Sequence, residues 1–174
     1  MAKPLILGAV LAGGHSSRFG SDKALAEIDG RPLIALATEA MAGWCDHVVI
    51  VGRDYGPAPC LPDWPRPDMG PLAGIAAALH YAADEGYAEV LCCGVDSPGL
   101  PADLPDLLGP APACLAQQPV VGRWPVSALP VLEAILHGQG RHSLRALAEA
   151  TGARLVETPQ VLANINTRDD LDAL

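Results

Sequence analysis

The stretch Leu5-Ile6-Leu7-Gly8-Ala9-Val10-Leu11-Ala12-Gly13-Gly14-His15-Ser16-Ser17-Arg18-Phe19-Gly20-Ser21-Asp22-Lys23 sets the reading of the whole chain. Residues 5–11 are all apolar or glycine. A short unbroken apolar run reads as a strand buried on both faces, as in a parallel sheet. The turn after it is rich in glycine, so backbone N–H groups can approach a ligand closely, and Arg18 and Lys23 bring positive charge to the same turn. A solvated surface turn can share this composition. The order of strand, double glycine, arginine and lysine favours a nucleotide, the more so because Lys3 and Lys23 are the only two lysines in the chain.

Spacing removes two common phosphate-binding loops. Five residues separate Gly14 from Gly20 and no Gly-Lys-Ser/Thr follows, so the turn is not a P-loop. Gly-x-Gly-x-x-Gly is absent as well, which excludes the dinucleotide-binding fingerprint.

Outward from this turn, apolar strands alternate with helical patterns. Leu33, Leu36, Ala37, Ala40, Met41 and Trp44 draw one helical face, with Pro32 suited to its first turn. Residues 47–51 form a second strand, rich in β-branched side chains. Residues 54–71 hold six prolines and two glycines and read as a loop. A helix follows over residues 72–83 and a third strand over 89–95. Residues 101–108 suit a short helix and 113–117 a strand, while Leu129, Leu132, Ile135 and Leu136 mark a further helix. Ser143 caps a helix over 144–150, with Gly152 just past its end, and 153–157 is a short strand. Thr167 opens a last helix, with Asp170 as its capping-box partner. This alternation predicts an α/β fold with a mainly parallel sheet in one domain, residues 1–174.

Composition narrows the function. Half of the 174 residues are hydrophobic, enough for a substantial core. No run of about 18 apolar residues predicts a membrane span, and no basic stretch leads a long apolar segment as in a signal peptide. The five cysteines, at 45, 60, 92, 93 and 114, lack Cys-x-x-Cys or paired-histidine spacing, which argues against zinc. An odd count in an untargeted chain fits a reducing cytoplasm. Cys92 and Cys93 sit in an apolar run and read as core. The net charge of −9 argues against nucleic acid as a partner. It also means that a triphosphate substrate needs a divalent metal and well-placed basic residues.

In a doubly wound sheet, ligands bind beyond the C-terminal ends of the strands. Three polar features fall there: the opening turn with Arg18, Asp22 and Lys23, the segment Asp68-Met69-Gly70-Pro71-Leu72-Ala73-Gly74, and Asp96 within Gly94-Val95-Asp96-Ser97-Pro98. Asp96 can cap the Ser-Pro turn or hold a divalent cation, and its nearness to the phosphate turn favours the cation. Asp68 can cap the helix after it, read a base or ribose, or assist a metal. Asn164 and Asn166 share one side of an extended segment, where two amides suit a polar heterocycle such as a pterin. Arg141, His142 and Arg145 surround a helix start, which is either a solvated basic end or a second phosphate site. No nucleophile elbow or Ser-His-Asp order appears.

The pattern Leu-Ala-Gly-Gly-x-Ser-x-Arg-Phe-Gly-x-Asp-Lys resembles the signature of nucleotidyltransferases, and of the molybdenum cofactor guanylyltransferases among them. Residues 11–23, 68–74, 95–98 and 164–171 carry the resemblance in the family's order. It implies a nucleotide-diphospho-sugar transferase-like fold, a Rossmann-like three-layer sandwich. By the same resemblance Leu11, Ala12, Gly13, Gly14, Lys23 and Asp68 bind GTP, and Asp96 binds Mg²⁺ together with the nucleotide. Arg18 reaches the phosphates, and Asn164 and Asn166 face molybdenum-molybdopterin. The implied reaction joins GMP to that substrate and releases pyrophosphate, with molybdenum-insertion proteins and apo-molybdoenzymes downstream in the cytoplasm.

The chain departs from the family at Phe19, where methionine is common, and at Val51, where an asparagine often contacts the nucleotide. Cytidylyltransferases acting on the same cofactor typically read Leu-Ala-Ala-Gly, so Gly13 favours GTP. Sugar-phosphate nucleotidyltransferases are usually longer. A catalytically silent nucleotide-binding module is the remaining reading, and the presence of Lys23 and Asp96 argues against it.

Overall fold

The apolar run ahead of the glycine turn becomes the central strand β1 (Ile6–Leu11) of a computed structural model that describes residues 2–14 and 22–174. The later strands are β2 (Glu27–Ile28), β3 (Arg31–Pro32), β4 (His47–Val51), β5 (Cys60–Leu61), β6 (Glu89–Gly94), β7 (Ala113–Leu115), β8 (Gly122–Pro125) and β9 (Arg154–Val156). The helices are α1 (Leu33–Ala42), α2 (Pro71–Glu85), α3 (Leu104–Leu108), α4 (Leu129–His137), α5 (Leu144–Thr151) and α6 (Arg168–Asp172). Seven strands form one sheet in the order β5-β4-β1-β6-β8-β7-β9, and β2 and β3 form a separate hairpin.

β1 pairs in parallel with β4 and β6, so its backbone is satisfied on both edges and its side chains on both faces are buried. Ile6, Val10, Val48 and Ile50 face α1 and α3, while Leu7, Ala9, Val49 and Val51 face α2, α4 and α5. These are the three layers expected of an α/β sandwich. Helix α2 buries Ala73, Gly74, Ala76, Ala77 and Ala78, and such small side chains let it lie close to the sheet. Its N-terminus therefore comes near the C-terminal ends of β1 and β4. Cys92 and Cys93 are core residues, and burial pushes the Cys92 thiol up to about 12.

Several elements follow their local signals. Ser143 accepts a hydrogen bond from Ala146 N–H, Gly152 ends α5 in the left-handed region, and Thr167 and Asp170 complete the capping box. Pro32 precedes α1 as its N-cap residue rather than lying in the first turn.

Three pairings depart from the sequence expectation. The proline-rich loop contains β5, because Pro59 and Pro62 flank two residues able to pair. The Pro59 carbonyl accepts from Ile50 N–H at 2.8 Å, and the Leu61 carbonyl accepts from Gly52 N–H at 2.9 Å. Proline tolerates this edge position because only its carbonyl is used. Strand β8 runs antiparallel between β6 and β7, so the mainly parallel sheet has one reversed member. Its four residues, Gly-Arg-Trp-Pro, carry no alternation to announce it; fully buried Trp124 anchors it from the tertiary side. β2 and β3 are two residues each, too short to leave a periodic signal.

Two contacts place the end of the opening turn. Gly52, at φ +89°, lies against β1's exit: a Cβ built on it would stand 2.6 Å from Gly13 Cα. Arg53 then donates from Nη1 and Nη2 to Asp22 Oδ1 and Oδ2, both at 2.8 Å, with its guanidinium 5.7 Å from the Tyr55 ring. Asp22 also caps the short 3-10 turn that begins at Lys23.

Gly52→Ala should therefore cost more than about 2 kcal/mol, since strained φ and backbone overlap add. Gly86→Ala shares a positive φ but has open space around it, and should cost only about 1 kcal/mol. Chemical denaturation of both variants checks the difference; equal costs would remove the Gly13 contact as a constraint. The Arg53 hydrogen bonds hold the Asp22 carboxyl below its ordinary pKa. A lowered folded pKa gives stability that is present above the unfolded value and fades as pH falls through the folded one. Arg53→Met should therefore be less stable than the parent at neutral pH, with the gap narrowing below about pH 4. A gap independent of pH would show that the ion pair is not its source.

Candidate active site

The C-terminal ends of β1, β4 and β6 open into a cleft of about 330 Å³. Leu11, Gly13, Gly14, Lys23, Asp68 and Asp96 all line it. The topology explains the convergence: parallel neighbours end on the same side, so the residues following β1 and β6 emerge together. The N-terminus of α2 closes a further side, with Gly70, Pro71 and Gly74 on the wall.

Lys23 Nζ stands 3.6 Å from Asp96 Oδ2, and both side chains remain partly open to solvent. The buried Ala24 and the Asp22 cap orient the turn that delivers Lys23. Asp96 is held from its other side. Its backbone carbonyl accepts from Ile165 N–H at 2.8 Å, and its carboxylate lies over Gly94, where a Cβ would come within 2.5 Å of Oδ1. Next to it, buried Ser97 donates to Gln118 Oε1 at 2.5 Å, and Gln118 Nε2 donates to the Ala163 carbonyl at 3.0 Å. The strand end and the 163–166 segment are thus locked to one another.

That segment sits at the rim. Ile165 is buried while Asn164 and Asn166 lie toward solvent, the alternation expected of an extended chain. Neither asparagine lines the cleft itself; Ile165 ties both to Asp96. Asn166 N–H donates to the Asp170 carboxylate at 2.9 Å, so its backbone serves the α6 cap. Ala12 spends its N–H on the Val51 carbonyl at 2.9 Å, continuing the β1–β4 pairing beyond β1. Arg18 falls among residues 15–21, outside the described residues. Arg145 borders a different hollow with Glu149 and Leu155, and His142 Nε2 pairs with the Gly138 carbonyl at 2.9 Å, so the basic helix start is apart from this cleft. Asp68 adopts φ +64°, a turn conformation that aspartate tolerates better than most residues.

Two residues of the site were not singled out from sequence. Arg53 follows the β4 end and braces the lysine turn through Asp22. Asp63 lines the cleft just after β5, half-buried, with its pKa raised by burial and then by the charge of Asp68. In sequence it is one more aspartate in a proline-rich loop. Only the pairing of Cys60 and Leu61 with β4 reveals it as a strand-end residue like Asp96.

A loop of backbone amides, one lysine and a strand-end carboxylate can bind a nucleotide and stabilise charge on a leaving phosphate. The comparisons with known proteins agree. The model of the MobA-like NTP transferase domain matches residues 8–162. A molybdenum cofactor guanylyltransferase of Rhodobacter capsulatus is 36% identical over 95% of this chain and 93% of its own length. One from Acidiphilium cryptum is 36% identical over 94% and 91%. Among solved structures, molybdopterin-guanine dinucleotide biosynthesis protein A from Archaeoglobus fulgidus shares the fold at TM-score 0.73 and 23% identity, covering 96% of this chain and 95% of that one. The 2-C-methyl-D-erythritol 4-phosphate cytidylyltransferase of Thermus thermophilus shares it at TM-score 0.65 and 16% identity, covering 95% of each chain. With the family model spanning most of the chain and relatives of matching length, this nucleotidyltransferase belongs to the MobA-like NTP transferase domain family.

Proposed function

We propose that residues 1–174 act as one guanylyltransferase domain, transferring GMP from GTP to molybdenum-molybdopterin to give the molybdopterin guanine dinucleotide cofactor and pyrophosphate. The observation that carries this reading is the Lys23–Asp96 pair at 3.6 Å, set in a glycine-walled cleft. The names of the chain's relatives supply the substrates.

In this reading the backbone of residues 11–14 and the Asp68 carboxylate hold the nucleotide. Lys23 and Arg18 face the phosphates. Asn164 and Asn166, at the rim beside Asp96, meet the molybdopterin. An oxygen of the terminal phosphate of molybdopterin attacks the α-phosphorus of GTP. The bond from that phosphorus to the bridging oxygen breaks, and pyrophosphate leaves with the electron pair. A phosphate monoester is largely ionised near neutral pH, so no strong general base is required. Holding the two phosphates in line supplies much of the acceleration, and Lys23 offsets charge on the leaving group.

Asp96 is the residue that would hold a divalent cation, proposed to be Mg²⁺. Its donor chemistry fits, since Mg²⁺ commonly takes one or two carboxylates and completes its shell with phosphate oxygens and water. Bound there, the ion would neutralise phosphate charge. No helix among the described residues is long and apolar enough to cross a membrane, and the product would pass to molybdenum-insertion proteins and apo-molybdoenzymes in the cytoplasm.

Incubation with molybdenum-molybdopterin, Mg²⁺ and each of the four nucleoside triphosphates, with pyrophosphate as readout, should give turnover with GTP. Preference for CTP would reassign the enzyme as a cytidylyltransferase, and no turnover with any nucleotide would indicate a silent binding module. Lys23→Ala should lower kcat by about 100-fold and Asp96→Ala by about a thousandfold or more, with thermal unfolding near that of the parent. Full activity in Asp96→Ala would remove that carboxylate from the mechanism.

A further inference from the structure

The hydrogen bonds around Asn164 do more than join two segments. The Ala163 carbonyl belongs to the peptide group ahead of Asn164, and it accepts from Gln118 Nε2 at 3.0 Å. The Ile165 N–H belongs to the peptide group after Asn164, and it donates to the Asp96 carbonyl at 2.8 Å. Both peptide planes flanking Asn164 are therefore pinned, and with them the direction in which its Cβ leaves the backbone. Asn164 itself is exposed, while Ile165 beside it is buried. One pin comes from the main chain of the Asp96 turn. The other is a side chain from a third segment.

Gln118 suits that task. It opens the turn between β7 and β8, where its carbonyl accepts from Val121 N–H at 2.9 Å, so its backbone is fixed. Its side chain is buried, and so is Ser97. A carbonyl only accepts, so the amide must turn its NH₂ to Ala163 and its oxygen to Ser97, whose hydroxyl donates at 2.5 Å. Both ends of the amide are engaged, and turning away would leave a buried donor and acceptor unpaired.

We propose that Gln118 is a positioning residue for the acceptor substrate, fixing the 163–164 peptide so that Asn164 meets molybdenum-molybdopterin in one orientation. The inference rests on the acceptor role given to Asn164 in the reading above. Gln118 is not among the described residues that line the nucleotide cleft, and the Asp96 carbonyl keeps its own bond to Ile165 without it. Its loss should therefore be felt by the acceptor and not by GTP. A backbone left free must be ordered when substrate binds, and ordering one residue weakens affinity by about tenfold.

Gln118→Met keeps the length of the side chain and removes the bond to Ala163. Two measurements on the full chain test it: the KM for molybdenum-molybdopterin at saturating GTP, and equilibrium binding of GTP with Mg²⁺. The KM should rise about tenfold, while GTP affinity should change by less than about twofold. Asn164→Ala should raise the same KM in the parent but add little to Gln118→Met, because an asparagine no longer aimed has little left to lose. A role in steadying the fold alone would look different: GTP and acceptor would weaken together, or the two substitutions would multiply. Either result overturns the inference, and so does an unchanged KM in Gln118→Met. If that variant does not fold, as judged by its thermal transition, Ser97→Ala decides in its place, since it frees the amide from its second partner. It must show the same selective, non-multiplying rise in KM, and any other pattern overturns the inference. Asn164→Ala with no effect on the parent's KM brings down the acceptor role of Asn164, and the Gln118 role with it.

Discussion

The site depends on the backbone contact between Gly13 and Gly52. These residues leave β1 and β4, neighbouring parallel strands, and they close to a distance at which a methyl group on Gly52 would overlap Gly13. The contact needs hydrogen at Gly52, and at Gly13 a Cβ would stand a tight 3.2 Å from Gly52 Cα. It also brings the strand exits near enough for Gly74 of α2 and Asp63 of the β5 loop to meet them. A side chain at any of these glycines would enter the space that the Asp63 carboxylate and the cleft now share.

Electrostatics set a second requirement. The chain carries 20 acidic and 11 basic residues, and the cleft itself contains Asp63, Asp68 and Asp96. An anionic ligand is repelled at a distance, within the reach that salt screening leaves. Local chemistry must reverse this. In the proposed reading Lys23 does so beside Asp96, and its position is inherited from Asp22, which caps its turn and is itself gripped by Arg53. The arginine thus acts at one remove, bracing the turn against β4.

On the opposite rim, hydrogen bonds couple the Asp96 turn to the 163–166 segment through Ser97 and Gln118. The Asp96 turn and the rim with Asn164 and Asn166 are therefore parts of one frame. The proposed transfer between two bound phosphates would benefit from such a frame, since small displacements of either reactant are costly in rate.

The sequence by itself determined the central strands, the main helices and their caps. Unbroken apolar runs, 3.6-residue periodicity and residues such as Ser143, Gly152 and Thr167 act through local sterics and hydrogen bonds, which need no distant partner. It also marked Lys23, Asp68 and Asp96, which line one cleft; Asp96 follows a buried strand of a doubly wound sheet, and polar residues there emerge beyond the strand's C-terminal end. The tertiary structure alone decided the rest. β5 and β8 are defined by the neighbours they pair with, and two or four residues carry no period of their own. Asp63 and Arg53 acquire meaning only when β5 is laid beside β4 and Gly13 and Asp22 come against them. Their roles arise from contacts between segments distant in the chain, and no local pattern encodes those.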